Sequence, residues 1–344
     1  MNANRLNTNA RITVEVACGV KPDDAVLIIS EARSKAPYHD DLLPIVTALA
    51  DACIDLGAHP AILDIGRFVH SPAFEAGTPL KPLIAAIQAA DVCINAVDYV
   101  NFERLLRDRA DAPLVVDGYI TATQRYFALQ SHKMDQWNIT AEQVAMINRR
   151  TDWLMERLPR SRTLHISSPA GTDFRVGLAG ATPNPFRVLV PLYGEVALVP
   201  EFGTETGTLI VDGPSQCGVR PKTELDRPPL RVDVADGRVT GWEGDDEQVR
   251  RLEAFVEGAS PRADHVDEVG ILTTQIKAND DCWWESGTHH SDRIHVALGN
   301  NDARDGRVHG YAHMDLEIVR PTLSLDDTVV IREGVFVDEN LASP

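Results

Sequence analysis

Residues 25–65 read AVLIISEARSKAPYHDDLLPIVTALADACIDLGAHPAILDI, and this stretch decides the fold class of the N-terminal half. The apolar run Ala25–Ser30 predicts a buried strand, because it is short, continuous and rich in β-branched residues. Residues 42–56 space their apolar side chains at helical intervals, and Gly57 predicts the end of that helix. A second apolar run at residues 60–65 predicts the next strand. Strand, helix and strand in this order indicate parallel strands joined by crossover helices.

The same pattern continues along the chain. Residues 83–90 and 140–158 predict helices, and residues 91–96 and 114–117 predict strands. No strand is followed by GxGxxG or GxxxxGK[ST], so the sequence does not support a nucleotide site on this sheet. We therefore expect an α/β domain with a largely parallel sheet over residues 1–158.

After this point the chain consists of short β-prone runs separated by Gly, Pro and Asp. The predicted strands are residues 162–167, 174–178, 208–211, 230–234, 293–298 and 328–331. Residues 248–257 (QVRRLEAFVE) predict one amphipathic helix among them. Residues 159–344 are thus expected to form an α+β, mainly antiparallel domain, which makes a two-domain chain.

Composition excludes several classes of protein. The chain has 344 residues, a formal net charge of −18 at pH 7, 44% hydrophobic and 24% charged residues. These values are typical of a folded globular protein, and the acidity argues against a nucleic-acid or anionic-membrane surface. The five cysteines are scattered and odd in number, which favours reduced thiols. Without a signal-peptide pattern or an apolar run long enough to span a membrane, we expect a cytoplasmic protein.

A histidine and an aspartate lie two residues apart in the β-prone stretch YAHMDLEIV. In an extended strand, positions i and i+2 face the same side, so His313 and Asp315 project together. Both side chains are common metal ligands. The pair alone is a weak signal, because such spacing arises by chance in many chains.

Three further side chains strengthen this signal. Glu195 (YGEVALVP) and Glu268 (VDEVGIL) stand among aliphatic residues on probable strands, where a lone carboxylate is costly unless it is protonated, paired or bound to a cation. His295 lies in the apolar run RIHVALG. Together with His313 and Asp315, these residues form a nitrogen and oxygen donor set suited to Zn, Mn, Co or Fe. The competing interpretation is a collection of unrelated buried ion pairs and a core histidine, and spacing alone does not rank the two.

Four sequence blocks also resemble the signature blocks of the aminopeptidase T-like metallopeptidases, a family of two-domain enzymes with a dinuclear metal site. The blocks are GEVALVPEFGTETGTLIVDG, VDEVGIL, RIHVALGNN and HMDLEIVRPTLSLD. With KPDDAVLIIS, GAHPAIL, AADVCIN and RTLHISSPAGTDFRV, the similarity covers nearly the whole chain. Matched block by block, the resemblance implies as metal ligands Glu195, Glu268, His295, His313 and Asp315.

The resemblance leaves an alternative open. The peptidases carry a tyrosine where this chain has Asp302, and the same fold includes the 2,5-dihydroxypyridine 5,6-dioxygenases, which bind Fe(II) through two His and one Asp. The H-x-D block of those dioxygenases matches His313 and Asp315, but their other histidine falls on Glu268. His265 is then a possible ligand in its place. A further active-site histidine of the dioxygenases falls on Asn101, for which His265 or His290 is a possible substitute.

The expected activity is metal-dependent hydrolysis of a small amide, lactone or amino-acid or peptide substrate by metal-activated water, with Glu195 or Glu268 carrying the proton. We expect one or two Zn, Co or Mn ions and a homo-oligomer, in the simplest case a homodimer. Candidates around the site are Asp302, His289 and His290. Fe(II) ring cleavage with O₂ is the alternative activity, and a binding protein without catalysis is the third class.

Overall fold

The computed structural model describes residues 2–31, 42–66, 68, 71, 81–96, 125–128, 134, 139–186, 194–215, 219–258, 262–274, 291–299 and 313–342. The chain divides into two compact units, one within Met1–Ala145 and one formed by Met146–Phe186 with Gly194–Pro344. The expected boundary at residues 158 and 159 stays a prediction. Among the helices that the structure describes, none is both long and apolar enough to cross a membrane.

The first unit contains a four-stranded parallel sheet, as the sequence predicts. Its strand order is β2-β1-β3-β4. The strands are β1 (Ala25–Ser30), β2 (His59–Asp64), β3 (Val92–Ala96) and β4 (Arg125–Ala128). The helices are α1 (Ala3–Ile12), α2 (Leu42–Asp55) and α3 (Lys81–Ala89), and a π-helical turn, Thr13–Ala17, follows α1. β1 and β3 are almost wholly buried, as expected for the inner strands of a parallel sheet. The predicted strand at residues 114–117 lies outside the described residues.

The second unit contains an eight-stranded antiparallel sheet in the order β11-β10-β9-β6-β5-β15-β16-β17. Its strands are β5 (Thr163–Ser167), β6 (Asp173–Gly177), β9 (Thr206–Val211), β10 (Leu230–Ala235), β11 (Arg238–Glu243), β15 (Thr322–Leu325), β16 (Thr328–Arg332) and β17 (Val335–Phe336). β5, β6 and β10 alternate between buried and more exposed residues, so one face meets the core and the other meets solvent.

A second antiparallel sheet has five strands in the order β14-β13-β12-β8-β7. Its strands are β7 (Thr182–Phe186), β8 (Glu195–Val199), β12 (Val266–Leu272), β13 (Arg293–Gly299) and β14 (His313–Val319). The helices α4 (Ala141–Arg157) and α5 (Asp246–Gly258) and the 3₁₀ turns Leu158–Arg160 and Lys222–Glu224 complete the described elements. The mainly antiparallel character predicted for the C-terminal half is confirmed.

Unlike the eight-stranded sheet, the five-stranded sheet has inner strands buried on both faces. β12 is buried at all of its residues, and β8 and β13 at all but one. Such strands are read from sequence as continuous apolar runs. In the five-stranded sheet, carboxylates and imidazoles interrupt these apolar runs. This sheet is therefore the candidate location of a functional site.

Candidate metal centre

The five-stranded sheet separates its side chains into an aliphatic face and a polar face. Cross-strand register places on the aliphatic face Val196, Leu198, Val269, Ile271, Ile294, Val296, Leu298, Met314, Leu316 and Ile318, all of which belong to the hydrophobic core. The same register places on the opposite face Glu195, Glu268, His295, His313, Asp315 and Glu317. Paired residues of neighbouring strands share a face. All five sequence-predicted site residues therefore lie on one face of one sheet.

Small residues on the polar face make room for the larger ones. His295 is paired with Gly270, and a Cβ on Gly270 would lie 2.0 Å from Cε1 and 2.1 Å from Nε2 of that imidazole. Ala197 is the partner of Gly270 on the other side, and Ala297 lies between Glu268 and Asp315. The imidazole of His295 thus rests directly on the backbone of β12, a position that only glycine permits.

Glu195, Glu268 and His295 form the most compact group of donors among the described residues. His295 Nε2 lies 3.2 Å from Glu268 Oε1 and 3.5 Å from Glu195 Oε1. One ligand atom from each of the three residues lies within 4.8 Å of the others, and all three side chains are buried. Metal–ligand bonds of about 2.1 Å in a tetrahedral site separate the donor atoms by roughly 3.4 Å. The observed spacing fits a divalent metal.

His313 and Asp315 adjoin this group. His313 Nε2 lies 3.0 Å from Asp315 Oδ1, and that oxygen lies 3.8 Å from His295 Nε2. Asp315 therefore stands between the two imidazoles. The opposite nitrogen of the ring, His313 Nδ1, lies 3.0 Å from Oδ2 of Asp267. Asp267 is fully buried and was not predicted as a site residue.

A β-bulge explains why Asp267 was missed. The register between β12 and β13 shifts between Val266, which faces Leu298, and Glu268, which faces Ala297. Asp267 is the extra residue, so it escapes the strict alternation that would turn it to the aliphatic face. The signal in the sequence was the pair of adjacent acids in VDEVGIL, because two consecutive carboxylates in a doubly buried strand require either a bulge or a charge in the core.

We refer to six residues as the histidine–carboxylate cluster: Glu195, Asp267, Glu268, His295, His313 and Asp315. Burial opposes a charge on the imidazole of His295, but Asp315, Glu195 and the hydrogen bond with Glu268 raise its pKa to about 10. The pKa of His313 is also raised, because Asp267 and Asp315 outweigh its burial. Four carboxylates with two protonated imidazoles still leave an excess of negative charge within the cluster, and a divalent cation is suited to balance it.

Beside the cluster lies a buried ion pair that the sequence did not reveal. Glu317 is paired with His295 across β13 and β14 and is fully buried. Its Oε2 accepts a hydrogen bond from Nη1 of Arg293 at 2.9 Å. Arg293 neutralises this carboxylate within the sheet, so Glu317 is better described as part of the scaffold than as a metal ligand.

The structure separates His265 from the cluster. Its Nδ1 lies 3.0 Å from Oδ1 of Asp264, and its ring stacks on Phe202 with the centroids 5.9 Å apart. Glu268, rather than His265, is in contact with His295. Four other residues considered from the sequence lie outside the described part of the chain: Asn101, His289, His290 and Asp302.

Comparison with known proteins identifies the fold of the chain. No family model matches the sequence, and no curated protein matches it. Solved structures show that the chain has the aminopeptidase T-like fold, as the sequence blocks indicate.

Two of these structures match over their full length. The 2,5-dihydroxypyridine dioxygenase of Pseudomonas putida KT2440 is 17% identical, with a TM-score of 0.66, and the match covers 99% of each chain. Wild-type AmpT of Thermus thermophilus is 14% identical, with a TM-score of 0.52, covering 98% of this chain and 100% of AmpT. At such identities the likeness establishes the fold, while the activity depends on the site.

Proposed function

We propose that the protein is a divalent-metal-dependent hydrolase that holds one or two Zn, Co or Mn ions in the histidine–carboxylate cluster. The observation that carries this proposal is the buried group formed by Glu195, Glu268 and His295, whose donor atoms lie within 4.8 Å of one another. His313 and Asp315 extend the set to enough donors for a second ion. A mixture of carboxylate and imidazole donors without thiolate suits these metals.

A metal bound here supplies a Lewis acid that polarises a carbonyl group and makes water nucleophilic at neutral pH. The chain supplies the proton transfers and the positioning. Glu195 and Glu268 each place Oε1 beside His295 Nε2, so either carboxylate is able to take the proton of the attacking water and pass it to the leaving group. Their burial keeps competing water away and strengthens the charge interactions of the site.

The proposed substrate is a small amide, a lactone, or an amino-acid or short peptide derivative. The name of AmpT, aminopeptidase T, supports amide hydrolysis in this fold. We further propose that the enzyme is cytoplasmic and acts as a homodimer on small molecules, in keeping with its acidic composition and scattered cysteines.

A specific arrangement supports Fe(II)-dependent ring cleavage as the second candidate. Asp315 Oδ1 lies 3.0 Å from His313 Nε2 and 3.8 Å from His295 Nε2, which brings two imidazoles and one carboxylate together. Two histidines and one carboxylate are the donor set of many non-haem Fe(II) oxygenases. The likeness to 2,5-dihydroxypyridine dioxygenase points in the same direction.

Parallel assays on one preparation distinguish the two activities. The protein is purified anaerobically without chelators and loaded separately with Zn, Mn, Co or Fe(II). Each form is tested for release of p-nitroaniline from aminoacyl anilides, for lactone opening, and for O₂ uptake with 2,5-dihydroxypyridine. We expect hydrolysis with Zn, Mn or Co and no O₂ uptake. O₂ uptake confined to the Fe(II) form, without hydrolysis by any form, would overturn the hydrolase in favour of the dioxygenase.

A further inference from the structure

Both ring nitrogens of His313 face buried carboxylates. Nδ1 lies 3.0 Å from Asp267 Oδ2, and Nε2 lies 3.0 Å from Asp315 Oδ1. The imidazole side chain is 29% exposed, whereas Asp267 is 0% exposed. A neutral imidazole has one N–H and one lone pair, so it donates to one neighbour and offers the lone pair in the other direction.

The position of the remaining cluster residues decides the direction of the lone pair. Asp315 Oδ1, beside Nε2, is also the oxygen that approaches His295, so Nε2 points toward the shared donor group. Asp267 contacts the opposite nitrogen of the ring. The tautomer that fits both neighbours when a cation is bound carries its proton on Nδ1.

The backbone is built to deliver Asp267 to this position. The bulge between Val266 and Glu268 inserts one residue into β12, and that residue is Asp267. On a regular strand, Asp267 and Glu268 would face opposite sides of the sheet, and one of the two carboxylates would enter the aliphatic core. Bulges that redirect a side chain are common beside active sites.

We propose that Asp267 is a positioning residue: its carboxylate accepts a hydrogen bond from Nδ1–H of His313 and so presents the Nε2 lone pair, next to Asp315, to the bound metal. This inference rests on the proposed metal site. Carboxylates that orient ligating histidines in this way typically contribute roughly 10- to 100-fold to metal affinity.

The chain provides a matched control. Asp264 places Oδ1 3.0 Å from Nδ1 of His265, the same separation as between Asp267 and His313, but that histidine stacks on Phe202 and does not contact the cluster. Asp264→Asn therefore removes an equivalent carboxylate from a histidine outside the site.

The test measures zinc affinity by competition with a chelator, together with the zinc content at saturation. Asp267→Asn is expected to weaken the affinity roughly 10- to 100-fold with the zinc content unchanged, because an amide oxygen accepts the hydrogen bond less strongly than a carboxylate. Asp267→Leu, which removes the acceptor, is expected to weaken it further, and Asp264→Asn to change it less than about threefold. If Asp267→Leu does not fold, the Asn variant alone carries the comparison.

Histidine ¹⁵N NMR of the zinc-loaded protein supplies a readout that is independent of affinity. The wild type is expected to show His313 protonated at Nδ1 and metal-bound at Nε2. Protonation at Nε2, loss of one zinc ion in Asp267→Asn, or an affinity unchanged by that substitution would each overturn the positioning role while leaving the metal site intact. A wild-type chain that binds no divalent metal would overturn the proposed function itself, and this inference with it.

Discussion

The two antiparallel sheets of the second unit both carry a histidine in contact with an aspartate, and the two pairs differ in the burial of the aspartate. In the eight-stranded sheet, His165 Nε2 lies 2.7 Å from Asp173 Oδ1, with the side chains 30% and 62% exposed. In the five-stranded sheet, His313 Nδ1 lies 3.0 Å from Asp267 Oδ2, and that aspartate is wholly buried. The shorter contact belongs to the solvated pair, so distance does not identify the site.

Burial gives the two pairs different physical meanings. Water reaches both His165 and Asp173 and screens their interaction, and an exposed ion pair contributes at most about 1 kcal/mol. In the five-stranded sheet the strand faces that carry the carboxylates are buried, where uncompensated charge is costly. A polar face inside the protein requires compensation of its charge, and the proposed divalent metal would supply that compensation here.

Glu268→Gln should have the largest effect, because it removes a buried donor that is also a candidate base. We expect turnover to fall by on the order of 10²- to 10⁴-fold, the usual contribution of a general base. Asp173→Asn, in the solvated pair, should leave turnover within about twofold. Steady-state kinetics of both variants on the best substrate check this. Equal losses in the two variants would break the distinction between the sheets.

Removal of the metal should destabilise the protein by an amount set by ligand linkage. Metal present at about 1,000 times its dissociation constant contributes about 4 kcal/mol, which corresponds to a midpoint shift of roughly 10 °C in a unit of this size. Differential scanning calorimetry before and after chelation measures the shift. Asp173→Asn should show the full shift, whereas Glu268→Gln should show much less. A chelator that leaves the wild-type midpoint unchanged would contradict a bound metal.

Gly270→Ala should sharpen the comparison through packing alone. The added Cβ would overlap the ring of His295, so we expect a loss of about 1–3 kcal/mol from overpacking, together with weaker metal binding. Gly258→Ala is the matched control, because a Cβ at Gly258 meets nothing within 4 Å. Urea unfolding of both variants, with and without metal, tests this. Full metal affinity in Gly270→Ala would show that the ring position of His295 is unimportant.

The dependence of stability on pH should be opposite in sign to acid denaturation. In the metal-free protein, the carboxylates raise the pKa of His295 from its ordinary value of 6.5 to about 10. The folded state then binds the proton of His295 more tightly than the unfolded state does, so protonation stabilises the fold. This stabilisation is fully present below pH 6.5 and is lost as the pH rises through about 10. Urea titrations of metal-free protein between pH 6 and 10 should show this decline, and Glu268→Gln should reduce it.

Metal binding competes with the same proton, since a ligating imidazole must be neutral. Apparent metal affinity should therefore rise with pH, and binding at neutral pH should release about one proton per imidazole ligand, which calorimetry in buffers of different ionisation enthalpy detects. An affinity independent of pH would show that protonated imidazoles do not take part.

Much of the fold was predictable from the sequence, because the pattern of apolar residues along most strands matches the burial of those strands in the structure. Ala25–Ser30 is apolar throughout and forms an inner strand of a parallel sheet, and the expected strands of the C-terminal half coincide with observed strands, with slightly shifted ends. β7 was not foreseen, because its sequence TPNPF contains Pro183 and Pro185. It lies at the edge of its sheet, where a missing backbone N–H is tolerated.

The candidate site was predictable where a charged residue interrupts an apolar strand. Glu195, Glu268 and His295 all meet this criterion, and the register brings them together. Asp267 was missed because its orientation depends on a bulge that alternation does not reveal, and Glu317 because its partner Arg293 lies on another strand. Periodicity assigns residues to faces, whereas pairing between distant strands requires the structure.

We propose above all that Glu195, Glu268 and His295 together bind one divalent metal ion. A crystal of the manganese- or zinc-loaded protein, with data collected at the absorption edge of the metal, tests it directly. We expect an anomalous peak about 2.0–2.3 Å from His295 Nε2 and from a carboxylate oxygen of each glutamate. Full-length protein at saturating metal with no peak there, and with His295 still hydrogen-bonded to Glu268, would contradict the account.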